Sequence, residues 1–385
     1  MRVTSAALLD QVRTALADDP GPVTAGRVAA AVRSSGAVLG DVGLLDVVDG
    51  LRAELTGAGP LEALLADPDV TDVLVNGADG VWVDRGRGLE RARLDLGGEP
   101  AVRRLAVRLA ALAGRRLDDA CPYVDGRLPD GVRVHAVLPP LSDGTHLSLR
   151  VPHRRCLGLA DLVRLQSLPP TWSPLLEALV ASRSAVLVSG GTGSGKTTVL
   201  ATLLGLVPAV ERIVLVEDSA ELRVDHPHVV RLQSRLPNVE GTGGVPMTDL
   251  VRQALRMRPD RLVVGEVRGA EVRELLAALN TGHEGGCGTL HANAAADVPA
   301  RLEALGALAG LGRDAIHAQA RGAVHVVLHL HRAAGLRRVA QIAVVDPAAE
   351  GLVVVPALTA HPDDPLDAGR RGAGWPLLAA RLGLP

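Results

Sequence analysis

A chain of 385 residues, 47% hydrophobic, is too long for one ordinary core and carries ample apolar surface for two or three domains. Its 41 Lys plus Arg against 43 Asp plus Glu give a net charge of −2, which supplies no global field for a polyanion, so strong nucleic-acid binding is not expected. Cys121, Cys156 and Cys287 are odd in number, far apart and free of any CxxC pair, which suits reduced cytosolic thiols better than a disulfide framework.

The first 55 residues read as a helical segment. Helical periodicity over residues 4–18 and 24–34 is separated by Asp-Asp-Pro-Gly-Pro, a strong stop, and Asp10 and Arg13 break the apolar pattern that a signal peptide requires. No apolar run approaches the ~20 residues of a membrane span, so a cytoplasmic protein is expected. Residues 56–152 read as a smaller α+β domain. A helix is expected around Leu61–Leu65, strands at Asp72–Val75 and Val81–Val83 about an Asn76-Gly77 turn, a helix over Ala101–Ala113, and strands at Arg133–Leu138 and Leu147–Val151. The polar, proline-containing stretch Pro152–Leu157 is the expected linker.

Residues 158–345 then alternate. Two helices lead to a strand at Ala185–Val188; strands at Ile213–Val216, Val229–Leu232, Leu262–Gly265 and Thr289–His291 are interleaved with helices over 248–257, 269–280 and 297–309. Such alternation predicts an α/β fold with a mostly parallel sheet covered on both faces, whose ligands sit beyond the carboxyl ends of the strands. The last forty residues, 346–385, are rich in Ala, Pro, Gly and Asp and are expected to form edge strands and a frayed tail.

The segment Gly190-Gly191-Thr192-Gly193-Ser194-Gly195-Lys196-Thr197-Thr198 joins that first strand to an apolar helix. Gly190, four residues, then Gly195-Lys196-Thr197 is the P-loop spacing, and it predicts a nucleotide site. Glycines let backbone N–H groups converge on phosphates, the helix N-terminus adds its positive dipole end, Lys196 neutralises charge, and the Thr197 hydroxyl faces Mg2+.

Three further segments end predicted strands at the same edge. Ile213–Val216 runs into Glu217 and Asp218; Leu262–Gly265 runs into Glu266, like a Walker B strand that ends in Glu; and residues 280–293 carry His283 and His291 in a glycine-dense loop. An acid beside Mg2+ and the γ-phosphate can hold the metal's water or polarise the attacking water, and imidazoles can sense the phosphate. Each acid also fits an ordinary strand-end carboxylate. His283, Cys287 and His291 offer metal ligands, but no second thiol or structural-zinc spacing accompanies them. The histidines of the run VHVVLHLH, His325, His329 and His331, lie on one strand face and are expected to be partly exposed.

The ordered set GGTGSGKTT, VEDSAEL, RMRPDRLVVGEVRG and NTGHEGGCGTLHAN resembles the secretion-ATPase superfamily, with its Walker A, Asp, atypical Walker B and His boxes. It looks most like the Tad/Flp-pilus and conjugation-associated branch, close to the type IV secretion ATPases, over about residues 55–330. The resemblance implies a RecA-like P-loop ATPase domain behind a PAS-like N-terminal domain, with ATP and Mg2+ as ligands. It makes Glu266 the catalytic glutamate and, with Thr197, the Mg2+ contact; Glu217 the Asp-box acid; and His283 and His291 the His-box pair. The N-terminal motifs match the family at Arg127, Arg133 and Arg150, which would reach the nucleotide phosphates.

The same resemblance implies a homohexameric motor that powers pilus assembly, protein secretion or conjugal transfer. It would sit peripherally on the inner face of the membrane through integral membrane platform proteins. The type II branch's four-cysteine zinc module has no counterpart, so no zinc is expected, and Cys287 replaces a small or hydroxyl-bearing His-box residue, with oxidation a possibility if its thiol is exposed. Two rivals remain open: a RecA-like nucleic-acid translocase, which would need a basic groove and stacking aromatics, and a nucleotide-binding regulator without significant turnover. Trp82, Tyr123, Trp172 and Trp375 are too scattered to form a stacking platform.

Overall fold

The computed structural model describes residues 6–18, 21, 23–36, 41–86, 88–152, 156–235, 237, 241–333, 335–361, 364 and 367–384. Contacts divide the chain after residue 154 into two units.

The first unit opens with helices α1 (Ala6–Asp18), α2 (Ala25–Ser34) and α3 (Asp41–Thr56), which close a small core around Val12, Val28, Val32, Val48 and Leu51. A short helix α4 (Glu62–Ala66) precedes strands β1 (Asp72–Asn76), β2 (Val81–Asp84) and β3 (Leu89–Ala92), helix α5 (Glu99–Leu112), and strands β4 (Tyr123–Arg127), β5 (Arg133–Val137) and β6 (His146–Arg150). The strands form an antiparallel sheet in the order β3-β2-β1-β6-β5-β4. Alternate residues Val73, Val75, Val81, Val83, Val134, Ala136, Leu147 and Leu149 are buried, and α5 adds Val102, Leu105, Ala106 and Leu109 at helical spacing to the same core. Strands β3 and β4 carry no such alternation: β3 is mostly exposed and β4 includes Gly126 between charged residues. Edge pairing, not burial, makes them strands, which is why their sequences do not announce them.

The second unit contains α6 (Leu159–Arg164), α7 (Ser173–Ala181), β7 (Val186–Gly190), α8 (Lys196–Gly205), β8 (Ile213–Glu217), β9 (Val229–Gln233), α9 (Met247–Leu255), β10 (Arg261–Val264), α10 (Glu271–Asn280) and β11 (Cys287–Leu290). It continues through α11 (Val298–Leu308), α12 (Arg313–Ala323), β12 (Val326–Ala333), β13 (Leu336–Val345), β14 (Val354–Thr359), β15 (Arg370–Arg371) and α13 (Trp375–Leu382). The sheet order is β15-β14-β13-β12-β7-β11-β10-β8-β9. From β12 to β9 every pairing is parallel, and β13, β14 and β15 extend the sheet antiparallel. Strands β7, β8, β10 and β11 are buried along their whole length, as a sheet covered on both faces requires. One covering layer packs Leu162, Leu176, Leu200, Leu203 and Leu378 on the sheet; the other packs Val251, Leu275, Leu276, Leu302 and Ile316 on the opposite face.

Two expectations need correction. Within residues 346–385 the expected edge strands are present, as β14 and β15 at one end of the main sheet, but the stretch that follows is not frayed: α13 seats Leu378 in the core with no exposure. The Trp172 indole N–H donates to the Ala368 carbonyl at 2.8 Å, and Arg371 lies 4.0 Å from the Trp375 ring, so packing across the sheet orders this composition. Of the three histidines of VHVVLHLH only one departs from expectation, since His325 is partly exposed and His331 exposed. His329 is only 6% exposed, because parallel pairing sets it beside Ser189 in the middle of the sheet.

His325 accepts a hydrogen bond from the Ala185 N–H through Nδ1 at 2.9 Å. Burial, helped by the positive charge of Arg381, lowers its pKa to about 4. The unfolded chain therefore takes up this proton first. The stabilisation is complete above pH 6.5, the ordinary histidine value, and is lost as pH falls toward 4. His325→Asn keeps an acceptor without the titration, so between those limits its melting temperature should fall less steeply than that of the wild type; parallel curves would assign the acid sensitivity elsewhere.

Candidate functional site

The carboxyl end of β7 sets the site. Leu330 of β12 pairs directly with Gly190, and a Cβ at Gly190 would stand 2.5 Å from the Leu330 carbonyl oxygen and 2.7 Å from Ser194 Oγ. With φ at +146°, this position takes glycine alone. The chain then turns through the loop and enters α8 at Lys196, so the helix's first-turn N–H groups and positive dipole end directly follow the loop. Lys196 is 8% exposed and donates from Nζ to the carbonyls of Gly190 at 3.0 Å and Gly191 at 2.9 Å. Thr197 and Thr198 follow, half-buried, in the first turn.

Neighbouring strands bring acid and base to this lysine. Beyond β10, the Gly265 N–H donates to the Val216 carbonyl at 2.9 Å, the Thr289 hydroxyl donates to the Gly265 carbonyl at 2.6 Å, and the Val267 N–H donates to the Thr289 carbonyl at 2.8 Å. This lacing fixes Glu266 at the sheet edge. His291 follows β11, and its ring stands between Lys196 and Glu266: Nδ1 is 3.4 Å from Lys196 Nζ and Nε2 is 2.7 Å from Glu266 Oε1. The second contact is close but not aligned as a hydrogen bond, and Oε1 is buried without an aligned donor. Arg268 donates to Glu266 Oε2 from one nitrogen and to Asp218 Oδ2 at 3.0 Å from another.

The charges sort accordingly. Burial pushes the Glu266 carboxyl up, but the Arg268 hydrogen bond and the charges of Arg268, His291 and Lys196 together hold it below the ordinary range. Burial and the nearby Lys196 lower His291, which favours the neutral imidazole despite Glu266. The result is an ionised carboxylate, a neutral imidazole and an ammonium in one row beside a loop of backbone N–H groups.

The family model for "Type II/IV secretion system protein" matches residues 54–351 of this chain. The chain belongs to that family. A Mycobacterium tuberculosis protein named for conjugal transfer is 57% identical over 324 residues, which cover 82% of this chain and 92% of the relative. The type IV secretion system protein PtlH of Bordetella pertussis is 34% identical over 258 residues, 61% of this chain and 76% of PtlH. The DotB ATPase of Legionella pneumophila has the same fold, with a TM-score of 0.51 at 20% identity, covering 74% of this chain and 79% of DotB.

In this type II/IV secretion family member, the structure brings together Lys196, Glu266 and His291, and it leaves other expected residues apart. Glu217 is 3% exposed and turns into its own loop, where Oε1 accepts from the N–H groups of Glu221 at 2.9 Å and Leu222 at 2.8 Å. Burial pushes its carboxyl up to about 7 against the pull of those amides. His283 lies in the turn before β11, with Nδ1 3.3 Å from the Ala278 carbonyl, whereas His291 follows the other end of that strand. The length of β11 alone, about 13 Å at ~3.3 Å per residue, separates their sheet edges. His283 is therefore not part of the Lys196 cluster. Cys287 begins β11 inside the core, and burial pushes its thiol up to about 11, which removes the expected route to oxidation.

In the N-terminal unit, Arg127, Arg133 and Arg150 are direct cross-strand neighbours on β4, β5 and β6, with Asp72 next in the row. Arg133 grips Asp125 with two hydrogen bonds, at 3.1 and 2.6 Å, Arg150 Nε lies 3.6 Å from Asp72, and Arg127 donates to the Gly131 carbonyl at 3.0 Å. Sequence reasoning missed Arg268 as a site residue. Its position two residues after Glu266 gave no signal, since the residue it reaches, Asp218, is distant in sequence.

Glu217 also explains a glycine. A Cβ at Gly265 would lie 2.7 Å from Glu217 Cγ, so Gly265→Ala should displace that side chain and cost about 1–3 kcal/mol by overpacking. A urea midpoint unchanged from wild type would show that the Glu217 side chain moves aside freely.

Proposed function

We propose that this chain is a P-loop ATPase whose RecA-like second unit hydrolyses ATP with Mg2+, as the motor of a secretion, pilus or conjugation machine. The observation that carries the reading is the convergence of Lys196, His291 and Glu266 beside the glycine loop. The residues fit a triphosphate and its metal. Gly190 leaves no room for a Cβ, Lys196 is turned onto the loop's own carbonyls, and Glu266 Oε1 is a buried acceptor without an aligned donor. Loop amides from Gly191 to Thr198 would hold phosphate, and Thr197 with Glu266, directly or through water, would hold Mg2+, which when bound offsets charge on the phosphate oxygens.

Each side chain then has a task. Lys196 exchanges its carbonyl partners for phosphate oxygens. Glu266, kept ionised by Arg268, is ready to orient and deprotonate a water. His291, neutral and set against both, donates to whichever acceptor the phosphate end presents. Asp218 holds Arg268 from the far side, so the glutamate's charge is tuned by a residue that follows a different strand, β8.

The PAS-like first unit enters this reading through its arginines. Arg127, Arg133 and Arg150 stand at opposed positions on three neighbouring strands, and this row of cationic residues suits an anion such as a nucleotide phosphate. The motor would work as a homohexamer docked on integral membrane platform proteins. No helix among the described residues is long and apolar enough to cross a membrane, which fits peripheral attachment through those partners. The names of the relatives, conjugal transfer and type IV secretion, support the machine class.

Glu266→Gln should lower ATP turnover by about 10²–10⁴-fold while nucleotide affinity stays within a few-fold, measured by phosphate release and by binding of a fluorescent ATP analogue. Undiminished turnover would remove Glu266 from the chemistry. Arg133→Ala and Arg150→Ala should reduce turnover without lowering the melting temperature of the second unit, and light scattering with an ATP analogue should report a six-subunit ring; full activity in both variants would end the arginine assignment.

A further inference from the structure

The run VHVVLHLH contributes a residue that the reading above does not use. On β12 the sequence Val326-Val327-Leu328-His329-Leu330 places one polar side chain within an apolar strand, and that side chain is nine-tenths buried. An apolar residue would pack there without the desolvation cost of an imidazole, a cost that only hydrogen bonds offset. His329 has one such bond, to Ser189, and at Asn293 a backbone group that acts in the same sense. Its Nδ1 lies 3.0 Å from Ser189 Oγ, directly across the parallel pairing, and Ser189 is itself fully buried. A backbone acceptor at Asn293, which can only be the carbonyl, favours the proton on the ring. The pattern is that of a neutral imidazole that accepts from the Ser189 hydroxyl and donates to the Asn293 carbonyl. Burial, then His331, disfavours the charged form, as does Lys196; Asp297 opposes them.

Both partners flank the site. Ser189 immediately precedes Gly190, whose carbonyl accepts from Lys196, and Asn293 lies two residues after His291, which meets Lys196 and Glu266. One ring thus ties the stem of the phosphate loop to the segment that carries His291. A second feature lies at the same place. The pairing of β12 with β13 shifts register between His329 and Leu330, leaving Ala340 as the extra residue on β13. Such bulges bend a strand and re-aim its side chains, and they concentrate beside functional sites.

We propose that His329 is a positioning residue that sets His291 against Lys196 and Glu266 by bridging Ser189 and Asn293. It touches no substrate; it acts through the backbone on either side of it. In its kinetic form this inference rests on the ATPase reading.

The test compares His329→Leu, which fills the space without either bond, with His329→Gln, whose amide can both donate and accept. His329→Leu should lower kcat about tenfold or more with KM for ATP within about twofold, and His329→Gln should recover most of the loss. In a His291→Ala background His329→Leu should lower kcat by less than about twofold, because residues that act as a unit are not additive. An equal loss in both backgrounds, or a loss confined to KM, overturns the proposal.

If the wild type hydrolyses ATP no faster than Lys196→Ala, the ATPase reading has failed and the positioning role is read without turnover. Amide hydrogen exchange over residues 289–297 should then be faster in His329→Leu and restored in His329→Gln; exchange unchanged from wild type overturns it.

Discussion

Parallel pairing of β7 between β12 and β11 is the constraint on which the site depends. Parallel strands all end at the same edge, so the residues that follow β7, β10 and β11 are delivered to the edge that carries the glycine loop. Lys196 and His291 are 95 positions apart in the chain and 3.4 Å apart in space for that reason. Moving β11 out of this order would leave the loop and its lysine in place but remove the histidine. The cross-links from Gly265 and Thr289 do the same for Glu266, converting strand order into the position of a carboxylate.

The two edges of the sheet handle buried charge in opposite ways. At the amino edge, Arg261 is 2% exposed, bonds Glu211 at 2.7 Å and the Val180 carbonyl at 3.0 Å, and Arg183 reaches the other Glu211 oxygen at 2.9 Å. That network is closed: its carboxylate is held from both sides, and it ties β10 to the end of α7. At the carboxyl edge the corresponding acid, Glu266, has one oxygen paired and one buried without an aligned donor. A closed ion pair contributes to structure, and an open one retains capacity for a further partner.

Several parts of this arrangement were legible in the amino-acid sequence. The glycine loop is local: the glycine positions, the lysine and the start of the following helix lie within the nine residues 190–198, and their spacing carries its own steric meaning. Strands β7, β8 and β10 announce themselves through runs of Val, Leu and Ile, because burial on both faces leaves no polar alternation, whereas β11, Cys287-Gly288-Thr289-Leu290, does not. Less was readable at the margins. Edge strands β3 and β4 are held by hydrogen bonds to a neighbour, which leave little trace in side-chain pattern, and the Ala- and Gly-rich C-terminal segment is ordered by contacts with Trp172 and the outer strands.

By itself the sequence determined that a glycine-rich loop joins a strand to a helix, that acids and histidines follow later strands, and that strand and helix alternate around a parallel sheet. These are properties of neighbouring residues and of periodicity. Only the tertiary structure decided which of those side chains meet. It turned Glu217 into its own loop, set His283 and His291 at opposite ends of β11, joined Asp218 to Glu266 through Arg268, and buried His329 against Ser189. Strand order and register set these distances, and both arise from pairing between segments far apart in the chain, which no local pattern encodes.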